Sequence, residues 1–257
     1  MVRSICLNNW RGLQIAMFSA YFDASRDKES RILTLGGFVS TLRKWERFER
    51  EWKAILEEYG IAYFHMTDFV SSHSEFSEWR GQSEKRRVFV ARLVQCIKKN
   101  TNKGFCTSLL LNDYATVDKE YQARESFGPP YSFCGLASLG MLQEWAKNKN
   151  IPVSKVLVFV EDGDEGLGEF RLRAKQQDCE VTPLSKSKAH ALAAGDLVAW
   201  KARTAFYNTL FGSLSSPEDA KNILRSLEPI RHVVQKNGGY DAVALREVCE
   251  RQPIPKR

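Results

Sequence analysis

The chain has little of what would place it outside a reducing compartment. Its six cysteines (Cys6, Cys96, Cys106, Cys134, Cys179 and Cys249) lie far apart and form no C-x-x-C pair. That spacing argues against a zinc site and against a disulfide framework, and predicts reduced thiols in a cytoplasm. No apolar run reaches the length a membrane span needs, and polar residues break up any signal-peptide core in "MVRSICLNNWRGLQIAM". There is no internal repeat and no low-complexity segment. No glycine-rich phosphate loop stands at a strand–helix junction either, which weakens a nucleotide- or sugar-phosphate-binding reading.

What is present is globular. The 257 residues are 43% hydrophobic and 27% charged, enough chain for one large domain or a domain with an appendage. Thirty-eight basic residues against 31 acidic ones give a formal charge of +7, which suits a polyanion such as nucleic acid without requiring one.

"AYFDAS", residues 20–25, sets the first expectation. Alternation places Phe18, Ala20 and Phe22 on one strand face and Ser19, Tyr21 and Asp23 on the other. "RILTLGGFVS" follows as the second arm of a hairpin, leaving Asp23 at the end of the first strand. Aspartate is also an ordinary turn residue there. "LRKWERFEREWKAILEEYG" spaces Trp45, Phe48, Trp52, Ile55, Leu56 and Tyr59 as one helical stripe, read as core packing rather than as a nucleic-acid face. "IAYFHMTDF" reads as a short extended piece carrying His65 and Asp68. Helices are expected at "SEKRRVFVARLVQCIKKN", "YSFCGLASLGMLQEWAKNK" and "HALAAGDLVAWKARTAF", and strands at "GFCTSLLLNDY", "KVLVFVEDGDEG" and "CEVTPLS". In the tail, Ser216 reads as an N-cap with Pro217 at the first helical position, followed by a Gly-Gly turn and a helix near "DAVALREVCE". Strands interleaved with helices up to residue 206 predict an α/β sheet covered on both faces. The expected organisation is an irregular extension over 1–16 (Met17 would make an equally good start), a domain over 17–206, and a helical appendage over 207–257 packed on it.

Asp196 is the least expected residue. It lies within a helix that is apolar nearly all round, on a face with Leu192, Ala199 and Trp200, after Ala193, Ala194 and Gly195. An ionised carboxylate there costs several kcal/mol unless it is compensated. A glycine in a helix costs about 1 kcal/mol relative to alanine. Close approach of this helix to the sheet explains both; a pair with Arg203 is the plainer alternative. Glu161 closes "VLVFVE" as Asp23 closes its own strand, with the acidic loop of Asp162, Asp164 and Glu165 behind it. Ligands of open α/β sheets gather at the carboxyl ends of the strands. Neighbouring parallel strands would therefore bring Asp23 and Glu161 into one crevice, with Asp196 from the covering helix. Three clustered carboxylates repel unless divalent cations lie between them, and oxygen-only ligation suits Mg²⁺ or Mn²⁺. Such ions can activate water against a phosphodiester.

At these residues the sequence resembles the bacterial and phage domain-of-unknown-function family 3800, of the RNase H-like superfamily. The resemblance spans roughly residues 17–206 and rests on "YFDAS" followed by "ILTLGGFV", the tryptophan-rich helix, "YFHMTDF" and "AAGDLVAW". The family typically opens on an aromatic-led Asp-Glu-Ser and closes on Gln-x-Ala-Asp. Asp23 and Asp196 match its two aspartates, and Glu161 and Asp162 fall where a third acidic ligand stands. Ala24 replaces the family glutamate and Ala193 its glutamine. The resemblance implies a five-stranded sheet in the order 3-2-1-4-5 with helices on both faces. It also implies a metal-dependent nuclease with Asp23, Glu161, Asp162 and Asp196 as candidate metal ligands. His65 is a candidate proton carrier, against the plainer reading of a core histidine; Lys186, Lys188 and Arg203 are candidate phosphate contacts. The competing expectation is a fold that kept its shape, lost a ligand, and binds nucleic acid or a protein partner without cleaving.

Overall fold

In a computed structural model, the described residues are 17–256 except 27, 28, 30, 213–224, 226 and 229–233. The extension over 1–16 and the helix start at Ser216 lie outside them. The strands are β1 (Phe18–Arg26), β2 (Ile32–Thr41), β3 (Lys103–Leu110), β4 (Val156–Glu161), β5 (Val181–Leu184) and β6 (Val234–Tyr240). The α-helices are α1 (Leu42–Glu58), α2 (Met66–Ser71), α3 (Ser83–Asn100), α4 (Leu111–Glu120), α5 (Ala123–Phe127), α6 (Pro130–Asn148), α7 (Leu167–Lys175), α8 (His190–Phe211) and α9 (Ala242–Arg251).

The strands form one mixed sheet in the order β5-β4-β1-β2-β3-β6. It has six strands where five were expected. The sixth pairs parallel to β3 and contains Gly238 and Gly239, read from sequence as a turn. The tail therefore contributes a sheet edge as well as the helix α9. A Gly-Gly pair carries no pattern that separates a turn from an edge strand, since the pairing partner lies more than a hundred residues away. Two further differences are local. His65 is extended, but the chain turns helical at Met66. "LNDY", read as the end of a strand, instead opens helix α4.

The alternation in β1 is borne out. Phe18, Ala20 and Phe22 pack with Tyr114, Phe133 and Phe170 on one side of the sheet, while Tyr21 packs with Trp45, Phe48 and Trp52 on the other. Because both faces are covered, β1 and β2 are buried almost throughout. The α1 stripe from Trp45 to Leu56 is core, as its spacing requires. Thr41 caps that helix by accepting from Lys44 N–H, and Trp45 Nε1 donates to the Ser19 carbonyl at 2.8 Å, fastening α1 to β1. Cys96, Cys106, Cys134, Cys179 and Cys249 are free thiols, all buried. No helix among the described residues is long and apolar enough to cross a membrane.

Candidate active site

β1 and β4 run parallel, paired from Phe18↔Val156 to Phe22↔Val160. One residue further along that register stand Asp23 and Glu161, side by side at the carboxyl end of β4. β1 itself continues to Arg26, so Asp23 lies inside the strand rather than at its end. Asp23↔Gly36 and Ala24↔Leu35 keep an unbroken register with β2. Alternation therefore sends Ala24 to the face opposite Asp23, where it packs against the second core.

The helix bearing Asp196 approaches the sheet as its small residues suggest. A β-carbon on Gly195 would stand 3.0 Å from the Gly36 carbonyl oxygen and 3.1 Å from Asp23 N. One on Gly36 would stand 2.8 Å from Ala199 N and Cα. Two glycines thus let α8 lie directly on β1 and β2, and the residue after Gly195 enters the site. Glu49, on α1, fixes the start of α8 by accepting from His190 N–H (3.2 Å) and Ala191 N–H (3.1 Å).

Asp23 is fully buried and Asp196 is 2% exposed. Asp196 Oδ2 accepts from Met66 N–H at 2.7 Å, with His65 Nε2 3.8 Å from the same oxygen. His65 Nδ1 lies 3.7 Å from Asp68 Oδ2, so the imidazole spans the two carboxylates. Arg203 instead donates to the Arg26 carbonyl at the end of β1.

Lys186 is the feature the sequence reading placed differently. It was expected among the phosphate contacts, but the residue is only 8% exposed. Its Nζ lies 2.8 Å from Asp23 Oδ2 and 2.7 Å from Glu161 Oε2. Asp23 Oδ2 receives this charge without a directed hydrogen bond, while Asp23 Oδ1 accepts from Ala24 N–H at 2.7 Å. Lys188, two residues on, is exposed.

The charges follow from burial. Desolvation lifts the Asp23 carboxyl well above the usual range, helped by its hydrogen bond with Glu161 and by the Asp196 charge, against the pull of Lys186. Burial alone would raise Glu161 too; the hydrogen bond with Asp23 and the Lys186 ammonium overcome it and hold Glu161 low. Lys186 is raised, because Asp196, Asp23 and Glu161 together outweigh its desolvation.

Tyr63, which the sequence reading missed, lies within electrostatic reach of this site. It is half-buried, and its phenol is pushed up to about 12 by burial, with Lys186, Glu161, Asp196 and Asp23 all acting on it. Its spacing of two from His65 in an extended segment was the signal that could have found it. Tyr131, buried with an unpartnered hydroxyl, feels Asp164, Asp23 and Glu161 from the other side of the sheet. Asp162 is exposed beside the site, and its N–H donates to the Leu184 carbonyl.

Among the described residues no three His, Cys, Asp or Glu side chains form a ready metal cage. The donors at hand are carboxylate oxygens, the right chemistry for a hard cation. The place between Asp23 and Glu161 is held by the Lys186 ammonium, so these residues fit a divalent ion only if that ammonium yields. Compared with known proteins, the chain matches no family model and no curated protein sequence.

Proposed function

We propose that the protein is a divalent-metal-dependent phosphodiesterase of RNase H-like fold, acting on nucleic acid. The observation that supports this is the placement of Asp23 and Glu161 on adjacent parallel strands, with Asp196 on the covering helix near enough for its charge to act on Asp23. Asp23, Glu161 and Asp196 would hold Mg²⁺ or Mn²⁺, with Asp162 beside them at the mouth. When bound, such an ion supplies a water of lowered pKa and charge stabilisation at the phosphoryl oxygens.

The chain's own residues supply the rest. Asp196, held by Met66 N–H, has one fixed oxygen, which limits the geometries the site can adopt. His65, a third exposed and reaching towards both Asp196 and Asp68, is placed to carry a proton between site and solvent. Lys188 is exposed near the mouth. Arg203 lies seven residues along α8 from Asp196, hence on the same helix face. Both suit phosphate oxygens beyond the scissile bond, and the net charge of +7 suits the polyanion as a whole.

A second reading has its own observation. Lys186 already supplies a cation between Asp23 and Glu161, so the site could persist as a neutralised core in a module that binds nucleic acid or a protein without cleaving.

Incubating the full chain with single-stranded, duplex and hybrid nucleic acids in Mn²⁺, Mg²⁺ or EDTA tests both. The first reading requires metal-dependent cleavage, lost by about a hundredfold or more in Asp196→Asn. Binding without cleavage in any metal supports the second, and absence of binding at low salt removes both nucleic-acid readings, leaving only a protein-binding module.

A further inference from the structure

Lys186 has a position that folding alone does not demand. A buried ammonium is retained only where paired charges repay its desolvation, yet sequestering it takes a basic side chain away from a surface suited to phosphate. It rises from a three-residue 3₁₀ turn, Lys186–Lys188, held by Ser185, whose hydroxyl accepts from Ser187 N–H and whose carbonyl accepts from Lys188 N–H at 2.9 Å. That turn follows β5, a four-residue strand at the sheet edge. Ser185, Ser187 and Lys188 around it are exposed. The ammonium thus enters the crevice on a flexible four-carbon stem from a small peripheral element, whereas the carboxylates come from central strands and a long helix.

The charges do not balance. Three carboxyl groups, those of Asp23, Glu161 and Asp196, face a single ammonium. A lysine is a compact point charge that can neutralise one of them; a divalent ion supplies twice that charge in the same space. We propose that Lys186 is a placeholder: its ammonium holds Asp23 and Glu161 together before a divalent cation enters. It then leaves that position. This rests on the cation site proposed above and adds to it a competition between two positive groups for the same two carboxylates. Part of the intrinsic metal affinity is then spent on displacing the lysine, as with any ligand that must first shift an equilibrium.

Two measurements on the full chain test it. In the first, Mn²⁺ is titrated into wild type and Lys186→Met by calorimetry, with free Mn²⁺ checked by its paramagnetic resonance. The placeholder predicts Kd about tenfold or more tighter in the variant, because a competing positive charge a few ångströms from the ion has gone. In the second, wild type is acetylated with an amine reagent with and without saturating Mn²⁺, and labelled lysines are mapped by mass spectrometry. Lys186 should be protected without metal and labelled with it, while Lys188 is labelled in both. Should Lys186→Met fail to fold, the labelling on wild type decides. Wild type that binds Mn²⁺ with equal or weaker affinity in the variant, or with Lys186 still protected at saturation, overturns the placeholder and leaves the cation site standing. No Mn²⁺ binding by either protein removes the cation site, and the placeholder with it.

Discussion

Gly195 rests on Asp23 so closely that a β-carbon added to it would come within 3.1 Å of both the Asp23 amide nitrogen and its Cβ. The closeness of this helix to the strands is what carries Asp196 into the same crevice as Asp23. The partner contact is Gly36 beneath Ala199, tighter still at 2.8 Å and made to backbone atoms that cannot rotate away. Gly36→Ala should therefore destabilise by about 2 kcal/mol or more, as overpacking does. Gly140→Ala, on α6 where a β-carbon meets nothing within 4 Å, should instead stabilise by up to about 1 kcal/mol through helix propensity. Urea unfolding of the two variants checks both signs.

Ala24 pairs with Leu35 in an unbroken register and packs on the face away from Asp23. Ala24→Glu should then leave Mn²⁺ affinity within about twofold of wild type while lowering stability, because it places a carboxylate against the apolar core. Tighter Mn²⁺ binding in calorimetry would mean that position 24 does reach the site.

Asp196 makes two separable contributions, an acceptor for Met66 N–H and a charge that acts on Asp23. Asp196→Asn keeps an acceptor oxygen and relieves repulsion, so in EDTA its stability should equal or exceed that of wild type. Asp196→Ala leaves the buried amide unpaired and should lose about 1–3 kcal/mol. Denaturation curves of both variants in EDTA separate charge from hydrogen bond.

The raised Asp23 carboxyl makes stability depend on pH with a definite sign. Folded Asp23 keeps a proton that the unfolded chain has released above about pH 4, so its contribution is full below that pH and is lost as pH rises. Between pH 5 and 7 Glu161, whose carboxyl is held low, is ionised in both states and adds no slope. Wild type in EDTA should therefore lose stability relative to Asp23→Asn across this window, by at most about 1.4 kcal/mol per pH unit. Equal slopes in the two proteins would show that Asp23 is ionised in the folded state.

Much of this arrangement was legible in the chain. The two-residue period of Phe18, Ala20 and Phe22 against Tyr21 and Asp23 is local, and so is the helical stripe from Trp45 to Leu56. Gly195 next to Asp196 in an apolar helix gave the close approach of α8, because a helix glycine and a helix aspartate each need a reason. What stayed hidden depends on partners distant in sequence. Lys186 looks like any loop lysine until β5 brings it between two carboxylates, and Glu49 looks like a surface residue of α1 until it caps α8 (141 residues away from His190). The strand β6 exists only because β3 offers an edge, and "VQKNGGY" has no alternation of its own to announce it. The placement of Ala24 was available from alternation, and the continuous β1–β2 register upholds it.

The central claim is that Asp23, Glu161 and Asp196 form a site for a divalent cation, and thermal unfolding tests it most directly. A cation bound only by the folded chain must raise Tm by mass action, the stabilisation growing as the logarithm of metal concentration above Kd. Wild type should show a rise in Tm that continues with each tenfold addition of Mn²⁺, and Asp23→Asn and Asp196→Asn should show none. A wild-type Tm that Mn²⁺ and Mg²⁺ leave unmoved at millimolar concentration, or that rises equally in both variants, would contradict the claim.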